Sequence, residues 1–393
     1  MVGHDYRLPR ITSAMLVLTH GCNLECRYCF VQQNPCHMTF ETAMRATNFL
    51  IQNADRENLV PSINFFGGEP MLMWDEIIVP LTNWIRNEYQ KPFSLSITTN
   101  GTLLNKERIE FLTQNRIGVL LSIDGDKETQ DYNRPLHNGG SSFDILKDVI
   151  PLIVEYRPGT TFRMTTIPKT CEHVFENIQF AQESGFKSFF VIPNVFEKWS
   201  DEKRGILAKE MRKYSDYYIE SFRYGVEPIR FSEIDKGFVA IRQINSAIDA
   251  KEYRTSNKCK SYGKCGLGAS RFASIDPNGN LYACQEMTSN EGEQSIFYIG
   301  NIFDGERDDL RYRLMNLYDS SQASGEDCSS CKLNRVCDGG CVANNYMITG
   351  SVNKLPEMYC WWQQLVIDEA IYIMQTLGKE ENEAFRKKWS NVR

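Results

Sequence analysis

No apolar run in this 393-residue chain approaches the roughly 20 residues of a membrane-crossing helix, which excludes a helical span. The opening residues, Met1 to Arg7, lack the apolar core of a secretory signal, so export is not expected. Positive charge is not in surplus either: 44 Lys and Arg stand against 50 Asp and Glu, a net charge of -6, with a pI near 5.6. That balance leaves no footprint for nucleic acid or for an anionic membrane, although a local basic groove for an acidic peptide stays open. Disorder-type composition is missing as well, and with 42% hydrophobic and 24% charged residues the chain can bury one large core or two domains. These absences describe a soluble, cytoplasmic protein with no nucleic acid and no membrane among its partners.

Thirteen cysteines stand out against that background. Cytosolic thiols are kept reduced, so this many, in odd number, point to metal and not to disulfides. Cys22, Cys26 and Cys29 follow an apolar stretch with C-x3-C-x2-C spacing. Iron takes soft thiolate ligands, and a cubane 4Fe-4S cluster has four iron corners. Three cysteines on one loop hold it and leave one iron for a ligand from outside the protein. A structural zinc site is the competing reading, but zinc asks for four closed ligands, and only Cys36 and His37 follow at a zinc-finger interval.

Short apolar strands alternate with longer helical stretches. The strands are expected at Ala14–Leu18, Ser62–Phe66, Leu95–Thr99, Val119–Ile123, Phe162–Thr166 and Ser188–Ile192. Helix spacing occupies Thr39–Ala54, Asn105–Asn115, Phe143–Tyr156 and Lys203–Tyr224. The rhythm predicts an α/β fold, a partial parallel (β/α)6 TIM-type barrel, whose chemistry lies at the carboxyl ends of the strands. There the sequence places Gly67-Gly68-Glu69-Pro70 after the second strand, Thr98-Thr99-Asn100-Gly101-Thr102 after the third, and Ser122-Ile123-Asp124-Gly125 with Arg134 after the fourth. Glycine pairs let a backbone approach a ligand closely, and an Arg fork suits a carboxylate. Taken singly, the first is most often only a turn and the second is equally well one.

The cysteine loop, with aromatic Tyr28 before its third cysteine, resembles the radical S-adenosylmethionine (radical SAM) superfamily. In that family the open iron chelates the amino and carboxylate groups of S-adenosylmethionine (SAM), and one electron cleaves it to methionine and a 5'-deoxyadenosyl radical. The resemblance makes Cys22, Cys26 and Cys29 catalytic. It implies cofactor contacts at Tyr28, Gly67, Gly68, Glu69, Pro70, Thr99, Asn100, Ser122, Asp124, Arg134 and Ile192. The glycine-rich turn would meet the cofactor's amino group, Thr99 and Asn100 would face the ribose side, and Ser122 and Arg134 would bind its carboxylate and ribose.

A second set of cysteines, Cys259, Cys265, Cys284, Cys328, Cys331, Cys337, Cys341 and Cys360, makes two complete four-ligand sets. Its spacing resembles the SPASM domain of radical enzymes that modify peptides and proteins. The family arrangement assigns Cys259, Cys265, Cys284 and Cys341 to one auxiliary 4Fe-4S cluster and the other four to a second, three clusters in all; a pair of zinc sites is the alternative. Cys36 and Cys171 read as ordinary buried thiols.

The expected layout is an N-terminal extension over 1–12, the barrel over 13–230, a bridge over 231–258, the auxiliary-cluster domain over 259–360 and a helical tail over 361–393. A winged-helix module for a leader peptide is not expected ahead of a first strand near residue 13, so leader recognition falls to a separate leader-binding protein, to the barrel surface or to the aromatic region after Val195. Flavodoxin or ferredoxin is the implied electron donor. The favoured substrate is a ribosomally made precursor peptide that receives a cross-link, often a thioether to Cys. Anaerobic sulfatase-maturating enzymes, which oxidise Cys or Ser to formylglycine, are the alternative. They usually carry an Asp base after the third ligand of the first auxiliary cluster, where this chain has Gln285. Glu286 follows, and on an extended strand it would face the opposite side. A three-cluster electron carrier would have no use for an open cluster and its cofactor motifs.

Overall fold

The computed structural model describes residues 8–31, 33–34, 36–238, 241, 267–268, 270–288, 292–317 and 340–390. Parallel strands β1 (Ser13–Thr19), β2 (Ser62–Gly67), β3 (Ser94–Thr99), β4 (Ile117–Ser122), β5 (Phe162–Thr166), β6 (Ser188–Pro193) and the short β7 (Arg230–Phe231) pair in chain order. The connecting helices are α1 (Phe40–Glu57), α2 (Val79–Trp84, flanked by π-helical turns), α3 (Lys106–Gln114), α4 (Lys127–Asn133), α5 (Phe143–Tyr156), α6 (Val174–Glu183) and α7 (Asp201–Arg223). The six expected strands and four expected helices are all present, with ends shifted by a few residues at most.

Side chains alternate along the strands as a partial barrel requires. On β5, Phe162 and Met164 are fully buried toward the helices, and Arg163 and Thr165 take the half-buried inner face. Helices start where side chains satisfy free amides: Thr39 accepts from Thr42 N at 3.1 Å to open α1, and Ser200 accepts from Lys203 N at 3.2 Å to open α7. The aromatics after Val195 are mostly core. Tyr218 and Phe222 are buried against α11 (Glu383–Ser390), while Phe196, 48% exposed, and Tyr224, 79% exposed, reach solvent.

The sheet does not stop at the barrel. Strand β8 (Phe272–Ile275) adds in parallel to the free side of β1, and β9 (Asn280–Tyr282), β10 (Tyr298–Asn301) and β11 (Gly305–Glu306) follow antiparallel, giving eleven strands with β1 inside. A fully buried ion pair fastens this extension. Arg311, on α8 (Asp308–Leu317), meets Glu306 at 2.7 Å and donates to the carbonyls of Pro9 and Gly268. Glu306 in turn accepts from Ile11 N at 2.9 Å and Asn53 at 2.8 Å.

Two more helices complete the described chain. Helix α9 covers Val342–Thr349, and α10 (Glu357–Lys379) starts a few residues ahead of the expected tail. Helix α10 runs parallel to α7, bridged by Arg204–Glu357, a two-pronged Arg212–Glu369, Asp216–Tyr372 and Arg223–Glu380. Arg311→Met leaves the buried Glu306 with only Arg10, at 3.8 Å, as its cation and is expected to cost about 3–5 kcal/mol of stability, read by chemical denaturation.

Candidate active site

The cysteine loop leaves β1 at Thr19, whose hydroxyl accepts from Gly21 N at 2.9 Å and pairs with His37 Nδ1 at 2.7 Å. It then runs antiparallel to residues 133–136: Glu25 N donates to Pro135 O at 2.9 Å and Arg27 N to Asn133 O at 3.0 Å. The glycine pair presses against the same loop. Gly67 has φ +140°, and an added Cβ would lie 2.2 Å from Thr19 O; on Gly68 it would lie 2.2 Å from Gly21 O. These glycines thus admit the loop's own backbone.

Glu69 is a buried staple. Its carboxylate accepts from Met71 N at 3.0 Å, Thr99 Oγ1 at 2.7 Å and Asn100 N at 2.8 Å, while burial pushes its pKa up to about 7. Pro70 opens the 3-10 turn that follows. Thr99 and Asn100, expected to face the ribose side, make hydrogen bonds within the protein: Thr99 meets Glu69, and Asn100 donates to Asn23 Oδ1 at 2.9 Å and approaches Cys22 Sγ at 3.8 Å. Backbone amides of the turn and a buried acid compete for these side chains, which a strand pattern cannot show.

Asp124, 1% exposed, gathers the rest. It accepts from the Tyr28 hydroxyl, from Asn133 at 3.0 Å and from Thr165 N at 2.9 Å, and it pairs with Arg134 at 3.1 and 3.2 Å. Gln130 fixes the Asp124 backbone, accepting from its N at 2.9 Å. Burial opposes the charge on Arg134, but Asp124 and Tyr28 beside it hold the guanidinium's pKa above the ordinary value. Nη2 of the fork donates to Asp124, Nη1 points to Cys26 Sγ at 4.0 Å, and Nε, 3.1 Å from Asp124, is buried without a hydrogen bond.

The three thiols sense one another. Burial pushes Cys22 up to about 12 and Cys26 up to about 11, neighbouring sulfurs add to both, and burial raises Cys29 as well. Among the described residues no three His, Cys, Asp or Glu side chains converge on one point as the ligands of a single ion would. Three soft thiolates on one loop are the donor set for three corners of a 4Fe-4S cluster, whereas zinc asks for four closed ligands.

Residues 16–181 match the model of the Radical SAM superfamily. The chain carries a radical SAM domain. It is similar to the cysteine-type anaerobic sulfatase-maturating enzyme of Clostridium perfringens, 24% identical over 349 residues that cover 85% of this chain and 89% of that one. Its fold is that of native anSMEcpe with bound AdoMet and Cp18Cys peptide, TM-score 0.72 at 22% identity over 93% of this chain and 99% of that chain. Streptococcus suis SuiB bound to precursor peptide SuiA follows at TM-score 0.61 and 19% identity, over 90% and 76%. The radical SAM family to which residues 16–181 are matched uses a 4Fe-4S cluster and SAM. Among the described residues no helix is long and apolar enough to cross a membrane.

The remaining predicted residues divide. Ser122 and Ile192 occupy half-buried, inward positions on β4 and β6 of the radical SAM barrel. Cys284, Cys341 and Cys360 are half-buried, and Cys360 rides on the first turn of α10. Cys259, Cys265, Cys328, Cys331 and Cys337 lie outside the described residues. Cys171 is fully buried, as an ordinary core thiol is.

Glu286 requires a correction. Residues Gln285–Met287 form a 3-10 turn, not an extended strand, because the turn closes with Met287 N on Cys284 O at 3.3 Å. Glu286 Oε2 is buried without a hydrogen-bond partner, in the field of Arg163 on the inner face, and burial pushes its pKa up to about 7. Arg163 itself escaped the sequence reading, although a lone Arg inside the apolar strand Phe162–Thr166 is a visible anomaly.

Two substitutions probe this scaffold. Gly68→Ala is expected to cost about 1–3 kcal/mol and to lower iron bound per chain after anaerobic reconstitution, read by melting and iron assay. Asp124→Asn strips Arg134 of its buried counter-charge, with an expected loss of about 3–5 kcal/mol on the same denaturation readout.

Proposed function

We propose that Cys22, Cys26 and Cys29 hold a 4Fe-4S cluster that binds SAM, and that the enzyme installs a cross-link, a thioether to Cys in first place, in a ribosomally made peptide. When bound, the cluster and cofactor supply a 5'-deoxyadenosyl radical that removes a hydrogen atom from a substrate carbon. The observation that carries this reading is the cysteine loop itself, three thiols set beside the inner face of the sheet and locked there through Tyr28 and Asp124. Around it the protein's own contribution is positioning: the glycine turn and Glu69 support the loop from β2, and Asp124 ties it to β4 and β5.

The eight cysteines of the second set form two auxiliary 4Fe-4S clusters in this proposal, with Cys284, Cys341 and Cys360 among their ligands. Helix α10 fixes Cys360 to the barrel through its bridges to α7. Flavodoxin or ferredoxin supplies the electron, and a separate leader-binding protein, the barrel surface or the region after Val195 receives the leader of the peptide.

Formylglycine formation is the second reading. The similarity to a sulfatase-maturating enzyme favours it, and Glu286 gives it a carboxylate on the inner side of the C-terminal part despite Gln285. Glu286 would then accept the proton of the substrate's thiol or hydroxyl.

Replacing Cys22, Cys26 and Cys29 with Ala is expected to abolish 5'-deoxyadenosine formation, measured by chromatography of anaerobic reactions; persistence of that product refutes the cluster assignment. Tandem mass spectrometry of a short peptide encoded beside the gene, co-expressed with and without the enzyme, decides the product. Loss of two hydrogens with a blocked Cys thiol is expected for a thioether. Loss with free thiols indicates another cross-link, and an unchanged peptide returns formylglycine to first place.

A further inference from the structure

The three thiols of the cysteine loop do not share one environment. Cys22 Sγ faces two N–H donors, the backbone N of Leu24 at 3.4 Å and the side-chain amide of Asn100 at 3.8 Å. Cys26 Sγ faces one, Nη1 of Arg134 at 4.0 Å. Exposed Cys29 has only the carbonyl of Val31 within hydrogen-bond reach of its sulfur among the described residues, and a carbonyl has no proton to offer it. Leu24 N belongs to the loop's own backbone, and Arg134 belongs to the Asp124 anchor. Asn100 comes from elsewhere, 78 residues along the chain from Cys22 and directly after β3.

The Asn100 amide is locked in the orientation this contact needs. Its Oδ1 accepts from Thr102 N at 2.9 Å and from Thr102 Oγ1 at 2.6 Å. A backbone N–H can only donate, so the amide oxygen lies on that side and the NH2 on the other. Of its two protons, one goes to Asn23 Oδ1 at 2.9 Å and the second is left for Cys22 Sγ. Asn23 donates in turn to Thr102 Oγ1 at 2.7 Å, which closes a ring of three side chains. Glu69 holds Asn100 N at 2.8 Å, and Asn100 and Thr102 are both buried.

A neutral thiol gains little from such a donor, whereas a thiolate bound to iron gains from it directly. Hydrogen bonds to the sulfurs are among the factors that set the reduction potential of an iron-sulfur cluster, and outer partners orient the ligands themselves. The electron delivered by flavodoxin or ferredoxin adds one negative charge to the cluster and its thiolates. A fixed N–H aimed at one of those thiolates therefore stabilises the reduced state more than the oxidised one.

We propose that Asn100, aimed by Asn23 and Thr102, donates to the Cys22 thiolate of the cluster and raises the cluster's reduction potential, acting through Cys22 as a positioning residue. This role is separate from any contact with SAM, and it rests on the cluster reading of Cys22, Cys26 and Cys29.

The test is a redox titration of the anaerobically reconstituted full chain followed by electron paramagnetic resonance, without SAM and with iron content as the check on loading. The signal missing from the variant with Cys22, Cys26 and Cys29 replaced by Ala marks the cluster concerned. Asn100→Asp keeps the acceptor for Thr102 and puts a charge where the donor was. Its expected effect is a reduced-to-oxidised ratio about tenfold lower at a fixed potential, the low end of the range for a hydrogen bond to a charged group, which for one electron is a midpoint lower by about 59 mV. Asn100→Ala is expected to lower the midpoint by less, and the auxiliary signals are expected to stay in place in both variants. Thr102→Val, which keeps the donor and removes one of its supports, is expected to shift the same signal in the same direction, and it decides the matter where Asn100 variants load no iron. An unmoved midpoint at equal iron overturns the proposal. Equal shifts of the auxiliary signals overturn it too, since they mark a general disturbance. A wild-type chain with the spectrum of the triple Ala variant refutes the cluster reading of the loop itself, a failure distinct from that of Asn100.

Discussion

A single carboxylate sets the geometry of the site. Asp124 is sealed from water and receives a tyrosine hydroxyl from the cysteine loop, a guanidinium and an amide from the end of α4, and a backbone N–H from β5. A buried carboxylate is tolerated only when its lone pairs are satisfied, and here the satisfaction comes from three separate pieces of chain. The loop that carries Cys22, Cys26 and Cys29 is therefore positioned against the sheet by electrostatics, in addition to its antiparallel pairing with residues 133–136.

The second constraint is β1. In a barrel that began with β1 as an edge, the cysteine loop would hang from an unpaired strand. Here β8 covers that edge, so the strand that feeds the loop is held on both sides. The fully buried Arg311–Glu306 pair then locks the antiparallel extension to Pro9, Ile11 and Asn53. On the far side, the ladder of charged and polar bridges between α7 and α10 sets where Cys360 stands. The C-terminal part is thus built into the barrel at both ends.

The barrel was legible because its strands and helices follow hydrophobic periods of 2 and 3.6, and because each strand ends in polar or glycine-rich turns. The strand Phe162–Thr166 and the helix Phe143–Tyr156 have the bounds the period assigns them. Strands β8 to β11 left no such trace, since two- to four-residue strands carry too few alternations to stand out. The glycine pair was visible as a pair, but not as a seat for the loop's own backbone. Glu286 was misplaced because a 3-10 turn and a strand differ by one local hydrogen bond, which composition does not reveal.

What the sequence determined by itself is the chemistry on offer: the spacing of three cysteines, the order of the cofactor-type turns and the count of thiols downstream are all local, one-dimensional facts. What only the tertiary structure decided is which partners those groups find within the protein. Arg134 reads as a ligand-binding cation and is ion-paired with Asp124; Thr99 and Asn100 read as cofactor contacts and bond Glu69 and Asn23; Arg163 reads as nothing in particular and stands without an ion pair among the described residues. The physical reason is that a polar group's partner is fixed by distance and burial, and neighbours such as Tyr28 and Asp124, nearly a hundred residues apart in the chain, meet only once the sheet has formed.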